Sequence, residues 1–148
     1  MIWGAVIVGI LVFVALFAPV LAPYDPFKLG IPYIKPCAEH PLGTNDVGQD
    51  LLSELIYGTR VSMFIGIFTA LIVTVLAALL ALVAGYYKGW VDRIVTALTN
   101  VTMGLPSLAL TVLLTAYLSP GKLSMIIAIS LTAWTGTSRI LRSRVVQL

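Results

Sequence analysis

The charged residues of this chain stand in clusters, and between them lie four uncharged stretches, 1–24, 61–87, 94–121 and 123–138. A hydrocarbon core takes about 20 apolar residues to cross as a helix, and the first three stretches reach that length. The fourth is shorter and rich in Ser and Thr, so it is expected to extend through its first basic turn, with Arg139 reaching out to the interface. Only 10% of the residues are charged and 59% are hydrophobic, against roughly 25% charged in soluble domains. Backbone groups in lipid must be satisfied internally, and these stretches neither alternate nor are short enough for barrel strands. The expected fold is an all-α membrane protein, a polytopic bundle of four transmembrane helices.

The first stretch ends on Ala18, Ala22 and Pro23, which resemble a signal-cleavage region. Its apolar run is longer than a signal core of roughly 7 to 15 residues and has no basic flank, which favours a retained helix. The net charge of +3 is read as helix-end Lys and Arg that set membrane orientation rather than as a nucleic-acid surface. The lone Cys37 excludes an internal disulfide or a cysteine metal cluster, and His40 stands by itself, so no metal, cofactor or catalytic residue is expected.

Along the chain three regions are expected: an N-terminal helix over 1–24, a loop with a short amphipathic helix over 25–60, and a core of three helices over 61–148. Pro23 and Pro26 end the first helix, since proline lacks an amide donor and biases its predecessor to extended geometry. Turn formers and capping residues fill 43–50. Leu51, Leu52, Leu55 and Ile56 then recur at helical spacing, with Gly58 as a stop. In the second stretch small residues repeat every four positions, Gly66, Ala70, Thr74, Ala78 on one line and Ala77, Ala81, Gly85 on another, as suits close helix approach in lipid.

In the third stretch Pro106 predicts a bend. Beyond it Ser107, Thr111, Thr115 and Ser119 fall on one face. Either that face lines a water-accessible path, or each hydroxyl bonds back to the carbonyl four residues earlier. The cluster Arg139, Arg142, Arg144 beside a span places the chain's N-terminus, Lys88 and Arg93 on the cytoplasmic side and the 25–60 loop outside. No span carries an ionisable residue in its interior, which argues against a self-powered proton-coupled pump, although Na⁺ coupling through backbone carbonyls stays open. A phosphate-cradling GxxxxGK[ST] loop is absent too, so any ATP would be bound by another subunit.

Residues 40–62, HPLGTNDVGQDLLSELIYGTRVS, resemble a segment characteristic of the dipeptide, oligopeptide and nickel permeases of ATP-driven importers. So do 84–93, AGYYKGWVDR, the Leu105-Pro106-Ser107 element, Trp134 with Arg139 and Arg142, and 16–26, LFAPVLAPYDP, at the end of a first helix. The chain departs from that pattern at Asn45, Gln49, Glu54, Lys88 and Asn100, and the lost positive charges put any inherited contact there in question. The resemblance implies the front part of a six-helix permease subunit, since Leu148 falls before the family's ATPase-coupling loop. It further implies a second permease subunit, ATPase subunits, an extracytoplasmic solute-binding protein and membrane lipid as partners. Peptides lead as cargo, ahead of nickel and oligosaccharides. Asn100, Ser107, Thr111 and Thr115 become candidate residues of the translocation path, and Arg139, Arg142 and Arg144 a basic cluster on the ATPase side. The rival class is a small stand-alone helical membrane protein, a channel or an assembly subunit, which leaves the HPLGT and AGYY segments unexplained.

Overall fold

A computed structural model describes residues 2–145. It is built from six helices among those residues: α1 (Ile2–Leu16), α2 (Ala18–Leu21), α3 (Leu51–Tyr87), α4 (Gly89–Gly104), α5 (Ser107–Tyr117) and α6 (Lys122–Val145). The chain divides into two compact units, Met1–Phe64 and Ile65–Leu148. Among the described residues α3 is long and apolar enough to cross a membrane alone, and α4 with α5 pass that test together. The four expected crossing segments are all helical, but two of them are broken where proline stands. Phe17 leaves the helical region ahead of Pro19, and Leu105 turns extended ahead of Pro106, so that α4 and α5 meet at 88°. The latter is sharper than the single bend expected, because the residue before a proline avoids the α region as well.

In the first unit the loop between α2 and α3 is tied down residue by residue. Asp50 caps α3: its Oδ2 accepts from the Ser53 amide and hydroxyl, both at 2.8 Å. Its other oxygen lies 2.9 Å from His40 Nδ1, and the His40 ring rests against Tyr24 at 4.9 Å between centroids. Thr44 is buried and bridges two strands of loop, donating to the Ile31 carbonyl at 2.8 Å and accepting from the Ile34 amide at 2.9 Å. Asn45 gathers the next turn, its Oδ1 taking the amides of Val47 and Gln49 and its Nδ2 reaching Gln49 and Glu54. Gly43 and Gly48 have φ of 79° and 83°, and a β-carbon at either would collide with backbone, at Ile34 and at Gly30 respectively. Both demands, positive φ and close approach, single out glycine. In the HPLGTNDVGQD run the side chains of His40, Thr44, Asn45, Gln49 and Asp50 thus close hydrogen bonds of a loop that has no strand ladder to close them.

Two expectations need correction. The amphipathic helix over 51–58 does not stop at Gly58; α3 runs on as one helix of 37 residues. A glycine inside a helix costs only about 1 kcal/mol, less than the loss of an uninterrupted bond ladder beside a membrane. At 1.5 Å per residue α3 measures roughly 55 Å, well beyond a hydrocarbon core of about 30 Å. Of the two small-residue lines on α3, only one is buried: Ala77 and Ala81 are fully covered and Gly85 sits against the Val145 side chain, whereas Gly66, Ala70 and Thr74 are exposed. The buried line continues upward through Val73 and Thr69.

The Asp50 carboxyl lies outside the spanning helices. Burial alone would push it up, but hydrogen bonds from His40 and Ser53 hold it below its ordinary value of 3.8. A depressed carboxyl stabilises the fold above the unfolded value and loses that contribution as the pH falls through the folded one. Asp50→Ala is expected to destabilise the cap by about 1 to 2 kcal/mol. Thermal unfolding in detergent checks this: the wild type should lose stability below pH 3.8, and Asp50→Asn should remove most of that acid dependence.

Candidate functional site

In the second unit α6 is the element on which α4 and α5 pack. Its buried face reads Ile126, Ala128, Ser130, Thr132, Thr135 and Ser138, small and polar rather than large and apolar. Small side chains let helices approach closely where lipid offers no hydrophobic drive for association. Against this face lies a groove of ≈ 590 Å³, lined from α4, α5 and the turn between them by Thr102, Leu105, Ser107 and Thr111 and from α6 by Thr132 and Thr135, among others. The 88° break at Pro106 opens the groove by swinging α5 away from the line of α4.

Of the candidate path residues, Ser107 and Thr111 line this groove. The hydroxyls also bond back: Thr111 to the Ser107 carbonyl at 2.8 Å and Thr115 to the Thr111 and Val112 carbonyls at 2.9 Å each. Thr111 Oγ1 also lies 3.1 Å from Thr132 Oγ1 across the helix pair, and either oxygen could be the donor. Ser119 is not on that face, because α5 ends at Tyr117. Thr132 itself bonds back to Ala128 and Ile129. Two further hydroxyls, Thr69 and Ser130, are buried without a hydrogen-bond partner.

Asn100 is placed elsewhere, on α4 facing the end of α6, where its Oδ1 accepts from Arg139 Nη2 at 3.2 Å. Two turns earlier Asp92 takes Arg142 in a bidentate pair, with Nε–Oδ1 at 2.5 Å and Nη2–Oδ2 at 2.6 Å. Asp92 is the sole acidic residue between Ile65 and Leu148. It lies in the first turn of α4 and Arg142 in the last turn of α6, so each also complements the dipole of its own helix. Arg144 is exposed at the end of α6. Two members of the basic cluster are thus turned toward α4. Sequence reasoning missed Asp92, Thr132 and Thr135 as partners; the spacing of Ala128, Thr132 and Thr135 at four and then three residues was the available signal.

Residues 77–148 match the family described as the binding-protein-dependent transport system inner membrane component. Residues 1–49 match the N-terminal TM domain of oligopeptide transport permease C. The dipeptide transport system permease protein DppC of Bacillus subtilis is 33% identical over 98% of this chain and 46% of its own length. The di/tripeptide permease DppC of Pseudomonas aeruginosa is 35% identical over 96% and 50%, and the oligopeptide permease OppC of B. subtilis 30% over 98% and 47%. The chain belongs to this family of inner-membrane permeases, and it is a multi-pass protein of the inner membrane. It spans about half the length of the curated relatives it matches.

A cysteine pair at Thr111 and Thr132 on a Cys37→Ser background should cross-link under mild oxidation, since the two hydroxyls stand 3.1 Å apart. A Thr111→Cys, Thr115→Cys pair should not, because those side chains sit on one helix and bond to its own carbonyls. Gel mobility before and after reduction reads both.

Proposed function

We propose that this chain forms the N-terminal portion of a permease subunit in an ATP-driven importer for peptides or related small solutes. It contributes helices and one wall of the path and catalyses no covalent chemistry. The observation that carries the reading is the hydroxyl-lined groove between α5 and α6, with Ser107, Thr111, Thr132 and Thr135 presented to it. Back-bonded hydroxyls form a polar but uncharged wall, which a hydrated peptide backbone can slide along without being held by a fixed charge. The relatives' names, which speak of dipeptide, di/tripeptide and oligopeptide transport, favour peptides over nickel or oligosaccharides. A second permease subunit, ATPase subunits and an extracytoplasmic solute-binding protein are the partners such a wall requires, alongside membrane lipid and without nucleic acid. On this reading the 25–60 loop faces the extracytoplasmic side, 61–148 begins the permease core, and the end of α6 faces the cytoplasm.

In the complete permease, single cysteines at Ser107 and Thr111 should react with small water-soluble thiol reagents and be shielded by cargo. Thr115→Cys should react more slowly, since Thr115 is not among the groove-lining residues. Inertness at Ser107 and Thr111 alike would remove the groove from the path.

Orientation is read from the native thiol. Cys37 is exposed in the loop. A membrane-impermeant maleimide is expected to label it in spheroplasts. Labelling only after the membrane is breached would invert the topology.

A further inference from the structure

The ends of α3 and α6 and the start of α4 meet in one corner, fixed by the contact of Gly85 with Val145 and by the Asp92–Arg142 pair. Three aromatic side chains project from it into the surroundings: Tyr86, Tyr87 and Trp90 are 81%, 67% and 73% exposed. The same helix ends carry Lys88, Arg93, Arg139, Arg142 and Arg144, against one carboxylate, and that carboxylate is already committed to Arg142. Lys88, Arg93, Arg139 and Arg144 are exposed and have no carboxylate within ion-pair distance among the described residues. Arg139 is held by the neutral amide oxygen of Asn100, so it is oriented while its charge stays uncompensated. Beside it lies a small polar cavity of ≈ 30 Å³ between α4 and α6, lined by Thr96, Asn100, Ser138, Arg139 and Arg142 among others. The Thr96 hydroxyl is buried there without a hydrogen-bond partner. That volume is about the share of one water molecule in the liquid, enough for a bridging water or a single anionic oxygen.

Unpaired cations held at a helix end beside exposed Tyr and Trp match the chemistry of a membrane interface, where aromatic rings sit at headgroup level and guanidinium groups meet phosphate. We infer that this corner is a binding surface for the phosphate of an anionic phospholipid, with Arg139 and Arg144 as its principal contacts and Trp90 beside the headgroup. A protein surface is less favoured by the same features, since three large aromatics exposed next to four unpaired cations suit a lipid boundary better than water. The assignment of this headgroup to the inner leaflet rests on the orientation proposed above; the binding itself does not.

The test uses the chain in vesicles with the same lipid in both leaflets, which makes it independent of orientation, while maleimide labelling of Cys37 reports orientation separately. With Trp3→Phe and Trp134→Phe, Trp90 is the remaining indole. Its fluorescence should be quenched more strongly by brominated phosphatidylglycerol than by brominated phosphatidylcholine at equal mole fraction. Arg139→Gln and Arg144→Gln should each weaken that preference roughly fivefold, the attraction of one basic side chain to an anionic surface. Arg139→Lys and Arg144→Lys should retain it, with circular dichroism confirming that all variants stay helical. Equal quenching by the two lipids would overturn the inference, as would a preference that survives both Gln substitutions. Loss of the preference on adding inorganic phosphate would make free phosphate the ligand and overturn the lipid assignment. Equal quenching together with weakened binding of the ATPase subunits by the Gln variants would give the corner to a protein instead.

Discussion

Hydrocarbon offers no hydrogen bonds, and that single lack shapes every part of this chain. A hydroxyl placed in a spanning helix needs an acceptor at once, and the carbonyl one turn back is always within reach. Thr99, Thr102, Thr111, Thr115 and Thr132 all take it. The consequence is a bundle that can carry many polar side chains without charge, and a face on α5 and α6 that is polar enough to wet yet costs little to bury. Thr69, Thr96 and Ser130 depart from the rule with buried, unpartnered oxygens, and all three lie in the second unit.

The same constraint explains where irregular backbone is allowed. Outside the spans, the loop before α3 closes its amides and carbonyls with the side chains of Thr44, Asn45, Asp50 and Ser53, because no strand or helix is there to do so. The grammar of that run is therefore architectural. It seats the start of α3, while the hydroxyl-lined groove between α5 and α6 lies in the other unit. A motif can identify a family and still not mark the working surface, since family identity follows whatever the fold cannot replace, here two glycines at positive φ and an acidic helix cap.

Charge is used sparingly and at helix ends. Asp92 and Arg142 each sit where their helix dipole favours them, and their bidentate pairing fixes α4 to α6 at one end. Arg139 then reaches back along its own helix toward Asn100, the direction in which helical side chains lean. The corner gains rigidity from one ion pair and keeps its surplus positive charge for the surroundings.

Much of this was legible in the residues alone. Helical class, the loop and its turn formers, the break at Pro106 and the membrane setting follow from hydropathy and proline chemistry, which act locally and leave marks at fixed spacings. The sequence could also narrow Ser107, Thr111 and Thr115 to one face, and it named back-bonding as the competing use of their hydroxyls. It could not say that α3 runs through Gly58, because a glycine's small local cost is outweighed by the helix on both sides. Nor could it choose between the two small-residue lines of α3, which differ only in what lies against them. The pairing of Asp92 with Arg142, 50 residues on, and of Asn100 with Arg139 depended on how α4 and α6 meet. Spacing along a chain fixes which residues share a face; which faces meet is a property of the assembled helices.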